Sequence, residues 1–212
     1  MKRTTLILSI AFLSASLFHS TTSKAQNQQG KSVVTVGAGS SLASLLFAFL
    51  KTVNNQSAGY AYTLTSTPVI IGAYDYAVAD KFSIGAAFSY QTFAVGYTQY
   101  TYTNSQNIAI TGDFTDRLTR INVGLRPLVH FGDDEHLDNY FGARISYTNW
   151  SYSTTNPDPY YDFTGNYSST VKPIKVQVLY GIRYFFTDLI GINGEIAIGP
   201  SYYIMGGLNF KF

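Results

Sequence analysis

The strongest constraint in this sequence is a two-residue alternation of apolar with small or polar side chains in its C-terminal part. Within 202–212 the even positions are Tyr, Ile, Gly, Leu, Phe and Phe, whereas the odd positions are Tyr, Met, Gly, Asn and Lys. The segments 190–199 and 174–186 repeat the alternation, again with apolar residues at even positions. Side chains of a strand alternate between two faces, whereas a helix would scatter both sets around its surface. The pattern therefore predicts three strands, each with one apolar face.

Five further segments alternate in the same way and bring the predicted number of strands to eight. Most of them are close to the length that a tilted membrane strand needs. Pro127 lies on the apolar face of one segment, and it predicts a local bulge because proline lacks the N–H that a ladder uses. The five segments are 31–39, 70–76, 82–90, 120–131 and 141–148.

The N-terminus has the three parts of a secretory signal peptide. Lys2 and Arg3 precede an apolar run, 6–18, and a Ser-Lys-Ala cleavage site ends the segment 1–25. We expect export by the Sec route, removal of this segment and a short periplasmic segment over 26–30. Cleavage removes three basic residues and leaves 11 Lys and Arg against 12 Asp and Glu, so the near-neutral mature chain predicts no nucleic-acid partner. The absence of cysteine excludes a lipoprotein anchor, a thiol nucleophile and a disulfide frame.

Composition indicates the solvent that the apolar faces meet. The chain has 18 Tyr and 15 Phe, while only 12% of its residues are charged, about half the usual share. No segment after residue 25 offers 18 consecutive apolar residues, so no transmembrane helix is predicted. Strands cross a bilayer only as a closed barrel, because every backbone N–H and C=O must be paired there. We therefore predict an all-β, membrane-spanning, antiparallel, up-and-down eight-stranded β-barrel over 31–212.

The predicted connections alternate between short and long, as the periplasmic turns and external loops of outer-membrane barrels do. Both termini are then expected in the periplasm. The short connections are 79–81, 132–138 and 187–189, and the long ones are 40–67, 98–115 and 152–170.

Two features of the long connections stand out. The segment 41–53 has apolar residues at helical spacing, and it predicts a short helix in the first external loop. This helix either caps the barrel mouth or lies on the outer leaflet. Trp150, Tyr160 and Tyr161 near the third loop are interpreted as an interfacial aromatic girdle, with a ligand platform as the alternative.

The C-terminal strand resembles a signal that the outer-membrane insertion machinery reads, carried by Leu208, Phe210 and Phe212. With the signal peptide and the hairpin spacing, residues 31–212 resemble the small eight-stranded outer-membrane barrels of the OmpA-transmembrane, OmpX and opacity-protein type. The resemblance implies a location in the bacterial outer membrane, contact with membrane lipid and the insertion machinery, and a monomer. This family includes adhesins, structural proteins, narrow pores and a few lipid enzymes, so the resemblance alone does not choose an activity.

The histidines argue against a lipid enzyme, which in barrels resembling this one uses a histidine, a serine and an acid near the external rim. His130 and His136 are the histidines of the mature chain, and both are predicted at the periplasmic end, His130 at the end of the fourth strand and His136 in the next short turn. They are interpreted as lumen or rim histidines in a solvated turn. The run 133–136 (Asp-Asp-Glu-His) is interpreted as solvated charge, because four adjacent residues do not converge on one ion without a structured loop. We predict no catalytic residue, no metal and no cofactor.

The two-residue alternation places five charged residues on the inner face of the barrel. Counted from the periplasmic turns, they lie at a similar height. Pairing across the 187–189 turn places Gly181 opposite Glu195, and pairing across the 132–138 turn places Arg126 opposite Arg144. Glu195 and Asp75 are the only acids that this register points inward, so we predict that they bridge the arginines and plug the barrel. The alternative is that water solvates each charge and leaves an anion-favouring passage. The predicted network consists of Asp75, Arg126, Arg144, Arg183 and Glu195.

Three functions fit these predictions. The first is a structural or surface-interaction barrel, the second a narrow pore or hydrophobic-compound channel, and the third a lipid-modifying enzyme of the outer leaflet. An eight-stranded barrel has an interior just wide enough for its own side chains, which favours the first. The long loops are rich in Tyr, Thr, Ser and Asn, but they carry no pattern that identifies an external partner.

Overall fold

The structure, a computed structural model, describes residues 27–54, 62–104, 106–156, 158, 164–166 and 173–212. The expected signal peptide, 1–25, lies outside the described residues. The described elements are β1 (Ser32–Ser40), α1 (Leu42–Asn54), β2 (Tyr62–Ser66), β3 (Val69–Ala79), β4 (Phe82–Thr103), β5 (Ala109–Phe131), β6 (Leu137–Thr155), β7 (Thr164–Asn166), β8 (Ile174–Phe185), β9 (Ile190–Ile198) and β10 (Ile204–Lys211).

Eight of these strands form a closed antiparallel ring. Its order is β1, β3, β4, β5, β6, β8, β9 and β10, and β10 pairs back onto β1. The short strands β2 and β7 lie outside the ring order and add to β4 and β6. Ring closure leaves no strand edge in the wall, which is the condition for placing strands in a bilayer. The predicted eight-stranded barrel is confirmed.

The two ends of the barrel differ. At one end, here the turn end, short turns join β3 to β4, β5 to β6 and β8 to β9; the opposite end is the loop end. The segment before β1 binds the turn end, where Asn27 donates hydrogen bonds of 3.1 Å to the carbonyls of Ala79 and Asp80. The first and last strands meet there as well, since the Phe212 N–H donates to the Ser32 carbonyl at 2.9 Å.

The outer face of the ring is an apolar belt. On β5, Val123 and Leu125 are 55% and 59% exposed, although both are large and apolar. On β9 and β10 the even positions point outward, whereas Glu195 is buried and Lys211 lies over the Phe185 ring, so the predicted register is confirmed. A continuous exposed apolar belt is stable against lipid and not against water. None of the described helices is long and apolar enough to cross a membrane.

The outer face becomes polar above the level of Tyr90 and Ile121, yet the strands continue. On β5 the next outward residues toward the loop end are Thr119, Arg117 and Thr115. We call the parts of β4, β5 and β6 beyond this level (92–103, 109–119 and 150–155) the raised wall.

The predicted long loop over 98–115 is therefore wrong. The β4–β5 ladder runs to the pair Thr103↔Ala109, and the connection is only 104–108. Beyond the bilayer both faces of a strand meet a polar surrounding, so the apolar alternation ends although backbone pairing does not.

The predicted helix over 41–53 is confirmed as α1. Ser41 caps it by accepting a hydrogen bond from the Ser44 N–H at 3.1 Å. The Ser41 hydroxyl also donates to Gln91, and the Phe47 ring packs 5.0 Å from that of Phe93. Gln91 and Phe93 point into the lumen, so α1 covers part of the mouth, as the first alternative for this helix states. The opposite face of α1 is exposed and apolar, with Leu42, Leu45, Leu46, Phe49 and Leu50.

Pro127 does not produce the expected bulge. The pairs Leu125↔Ile145 and Leu128↔Gly142 flank it in one constant register, and only the pairings between them are missing. The ladder to β4 is kept through Ile84↔Pro127. Proline is thus accommodated by two missing pairings rather than by an inserted residue.

Replacing Leu125 with Arg tests the position of the belt, with Thr115→Arg as the matched control on the same strand and face. Leu125→Arg puts a guanidinium near the middle of the belt, and we expect the free energy of unfolding to fall by about 2–4 kcal/mol. Thr115→Arg lies on the raised wall, and we expect a loss of about 0–1 kcal/mol. Urea unfolding in lipid vesicles measures both values. Equal losses would contradict the assigned boundary.

Candidate functional site

The centre of the lumen holds a buried ion-pair network around Arg126. Its Nε lies 3.1 Å from Oδ1 of Asp75, and its Nη2 donates to Oε1 of Glu195 at 2.7 Å. Arg183 binds the other oxygen of Asp75. The structure thus brings together four of the five charged residues that parity placed inside, and each is at most 2% exposed. The expected pair Gly181↔Glu195 is confirmed by the β8–β9 register.

Two tyrosines that the sequence analysis missed complete this network. The hydroxyl of Tyr140 donates to Glu195 Oε1 at 2.7 Å, and that of Tyr202 donates to Oε2. Tyr140 and Arg144 are both at even positions of β6, so both point inward. This alternation is the sequence pattern that could have identified Tyr140. Tyr202 was assigned to the outer face, and that is wrong, because it is 0% exposed. The last strand begins only at Ile204, so the strand parity used for Tyr202 does not extend to it.

A third inward acid, Asp138, contradicts the prediction that Asp75 and Glu195 are the only ones. Its Oδ2 lies 3.3 Å from Nη1 of Arg183. The turn before it was predicted to run through 138, whereas β6 begins at Leu137 and so points Asp138 inward. Arg183 is therefore bound by Asp75 and Asp138, and Glu195 is left to Arg126 and the tyrosines.

Arg144 was predicted to belong to the network, but no carboxylate of the described residues pairs with it. It is 1% exposed, and its guanidinium makes no hydrogen bond to the described part of the chain. Instead it lies 5.4 Å from the centre of the Tyr202 ring, a cation–π arrangement. The Tyr202 hydroxyl binds Glu195, so Arg144 reaches the network only through an aromatic ring.

Glycines make room for these large side chains. A Cβ on Gly181 would overlap the ring of Tyr140, and a Cβ on Gly85 would overlap the Asp75 carboxylate. A Cβ on Gly72, on the outer face, would have no other atom within 4 Å. The inward glycines are therefore part of the site.

His130 lies at the turn end in a chain of hydrogen bonds. Its Nε2 is 2.8 Å from the Ser83 hydroxyl, and its Nδ1 is 2.6 Å from Oδ1 of Asp138. His130 is 4% exposed, which fits the lumen position expected for it but not a solvated turn. The order serine, histidine and aspartate is that of a hydrolytic triad, but Ser83 is 1% exposed and the space beside His130 does not admit a water molecule.

Arg120 lies at the loop end of the lumen. It donates to the carbonyls of Pro200 and Ser201 at 2.6 and 2.7 Å, and to Gln91 at 2.6 Å. Gln91 also accepts from Ser41 at the start of α1. One guanidinium thus ties the β9–β10 connection to the helix that covers the mouth.

The predicted aromatic girdle is wrong at Trp150. Its ring is stacked 6.2 Å from that of Phe93 and lies 5.5 Å from the Arg120 guanidinium, inside the mouth. Tyr160 and Tyr161 lie outside the described residues. Over the described ranges, no group of three or more His, Asp or Glu side chains is placed to hold a metal ion.

Glu195→Gln tests the network, because glutamine keeps the shape of the side chain and removes its charge. Arg126 would then depend on Asp75, which it shares with Arg183. We expect the free energy of unfolding to fall by about 3–5 kcal/mol, as when one partner of a buried pair is removed. Asp113→Asn removes an exposed acid of the raised wall, and its effect should stay within about 0.5 kcal/mol. Equal stability of the parent and Glu195→Gln in urea unfolding would contradict the network.

Comparison with known proteins gives similarity at the level of the fold. No family model matches the chain, and no curated protein does. Among solved structures, Ail, the attachment invasion locus protein of Yersinia pestis, matches with 9% identity and a TM-score of 0.46 over 87% of this chain and 100% of its own, in a complex with the heparin analogue sucrose octasulfate. OprG of Pseudomonas aeruginosa matches with 9% identity and a TM-score of 0.47, covering 88% and 98%.

The N-terminal β-barrel domain of Pseudomonas aeruginosa OprF matches with 14% identity and a TM-score of 0.43, covering 87% of this chain and 98% of that domain. The strand order of the chain itself decides its fold. Eight antiparallel strands close into a ring, β10 pairs with β1, and an apolar belt surrounds a polar lumen. By this architecture, the chain has the fold of the small eight-stranded outer-membrane β-barrels.

Proposed function

We propose that this protein is an integral outer-membrane barrel with a structural or surface-interaction role, and that its own side chains plug its lumen. The observation that carries the proposal is the buried network of Asp75, Arg126, Arg183 and Glu195, which lies across the lumen from β3 to β9. The guanidinium groups of Arg126 and Arg183 are paired with the carboxylates of Asp75, Asp138 and Glu195, so these five charged groups have partners within the barrel. A permeant ion would have to displace partners that are already paired.

Two further layers support a closed lumen. At the turn end, the Ser83, His130 and Asp138 chain fills the interior. At the loop end, Arg120 holds the β9–β10 connection inside the mouth. The burial of Ser83 also supports a structural role for this serine, because a nucleophile must reach the carbonyl of its substrate.

The orientation follows from the two ends. We infer that the turn end lies in the periplasm and the raised wall lies outside the cell, as short turns and long extensions do in such barrels. Export through the periplasm by the Sec route fits the N-terminal segment. A single chain closes the ring, so we propose a monomer in contact with membrane lipid.

Conductance measurements test the plug. We expect the refolded mature protein to give no steady ion conductance in planar bilayers and no swelling of sugar-loaded vesicles. The double variant Arg126→Ser, Tyr140→Ser removes two of the large buried side chains at the centre and serves as the opened barrel for comparison. The mobility of the unheated protein on a gel checks that this variant is folded. Steady conductance of the parent protein would contradict the plug and favour the narrow pore.

The last strand generates a second expectation, which concerns the insertion machinery. Phe212 is 64% exposed on the outer face, so its ring is available to a binding protein. Deleting Phe212 should lower barrel assembly in cells and leave refolding in detergent almost unchanged. Phe186→Ala is the matched control, because Phe186 is also exposed, aromatic and at the turn end. Equal losses in cells and in detergent would mean that Phe212 only packs against its neighbours.

A further inference from the structure

The inner face of the raised wall forms a cleft that the lumen network does not use. Its volume is about 390 Å³, within the range of small-ligand sites. The strands that carry it extend beyond the apolar belt, so it opens outside the bilayer. The side chains on which the argument depends are Tyr97, Tyr100, Tyr102, Phe114, Asp116 and Tyr152.

A β-bulge produces this concentration of aromatic rings. Between the pairs Tyr97↔Phe114 and Tyr100↔Gly112 the register of β4 shifts, and Gln99 has a φ of 53°. The shift turns Tyr100 to the same face as Tyr97, although the two differ in parity. Bulges commonly re-aim side chains in this way. The cleft thus owes its aromatic lining to an irregularity of the backbone.

The Phe114 ring makes edge-to-face contacts with two tyrosine rings of the cleft. Phe114 meets Tyr100 at 5.7 Å and 89°, and it meets Tyr102 at 5.3 Å and 77°. Aromatic rings carry a negative face, which attracts a cation placed over it. Because five aromatic rings line the cleft, it favours a positively charged group over an anion.

Carboxylates give the cleft the same preference. Asp116 lies in its lining and accepts a hydrogen bond from the Tyr152 hydroxyl at 2.5 Å. Behind the rings, Asp158 is buried and accepts one from the Tyr102 hydroxyl at 2.7 Å. Among the described residues that line the cleft there is no Lys or Arg. The aromatic rings and the Asp116 carboxylate therefore favour a cation in the cleft.

We propose that this cleft binds an organic ammonium group, held over the aromatic faces and paired with Asp116. The ligand class follows from the lining, because a neutral sugar would need hydrogen-bond partners but no negatively charged side chain. This proposal rests on the surface-interaction role proposed above and gives it a ligand chemistry.

Titration with choline tests the site, and the neutral isostere 3,3-dimethyl-1-butanol and glucose are the comparison ligands. The refolded mature barrel is placed in phosphatidylglycerol nanodiscs, which contain no ammonium headgroup, and binding is followed by calorimetry. We expect saturable binding of choline, and binding of the isostere weaker by about tenfold or more, because only the charge differs. Equal binding of choline and its isostere, stronger binding of glucose, or no binding of choline would each overturn the proposal.

Variants assign the binding to the cleft. Asp116→Asn should weaken choline binding about tenfold, and Phe114→Leu should weaken it about three- to thirtyfold, since each removes one attraction for the cation. Asp133→Asn is the matched control in the turn between β5 and β6, at the other end of the barrel, and it should bind like the parent. Equal losses in Asp116→Asn and Asp133→Asn would overturn the assignment. Ion conductance of the parent protein would refute the plugged barrel but would not change these choline titrations. Each proposal can therefore be overturned without the other.

Discussion

The constraint on which this structure depends is that a bilayer offers no partner to a backbone N–H or C=O. Each of the eight strands therefore pairs on both sides, and the ring closes through β1 and β10. Closure fixes the parity of every wall residue, because a slip by one position would turn the apolar face inward. The apolar belt and the polar lumen are two consequences of the same backbone pairing.

Parity then forces charged residues into a narrow interior, where an unpaired charge is costly. In the structure, Arg126 lies between Asp75 and Glu195, and Arg183 lies between Asp75 and Asp138. The hydroxyls of Tyr140 and Tyr202 donate hydrogen bonds to Glu195. Arg144 is held over the Tyr202 ring instead of by an acid. The same side chains that pair these charges also occupy the centre of the lumen, so the stability of the barrel and the proposed plug depend on one network.

Above the bilayer the strands no longer need an apolar outer face, and their inner face is free for another use. The raised wall keeps its ladder, and the bulge at Gln99 gathers aromatic side chains around a cleft. The two parts of the β4–β5 hairpin therefore differ: the part in the belt contributes Arg126 to the lumen network, and the part beyond it lines the cleft. The register shift lies within the second part, between Tyr97 and Tyr100.

The sequence by itself determined the barrel, its eight strands, their facing in β9 and β10, and the helix after β1, because alternation and helical spacing are local properties of the chain. It also determined that Asp75, Arg126, Arg183 and Glu195 lie inside. Only the tertiary structure decided the partners: that Asp138 is inward, that Arg144 binds a ring, that Trp150 faces the mouth and that 98–115 is mostly strand. These features depend on where turns begin, on contacts across the lumen and on the height of the bilayer. All three are determined jointly by residues that are distant in sequence.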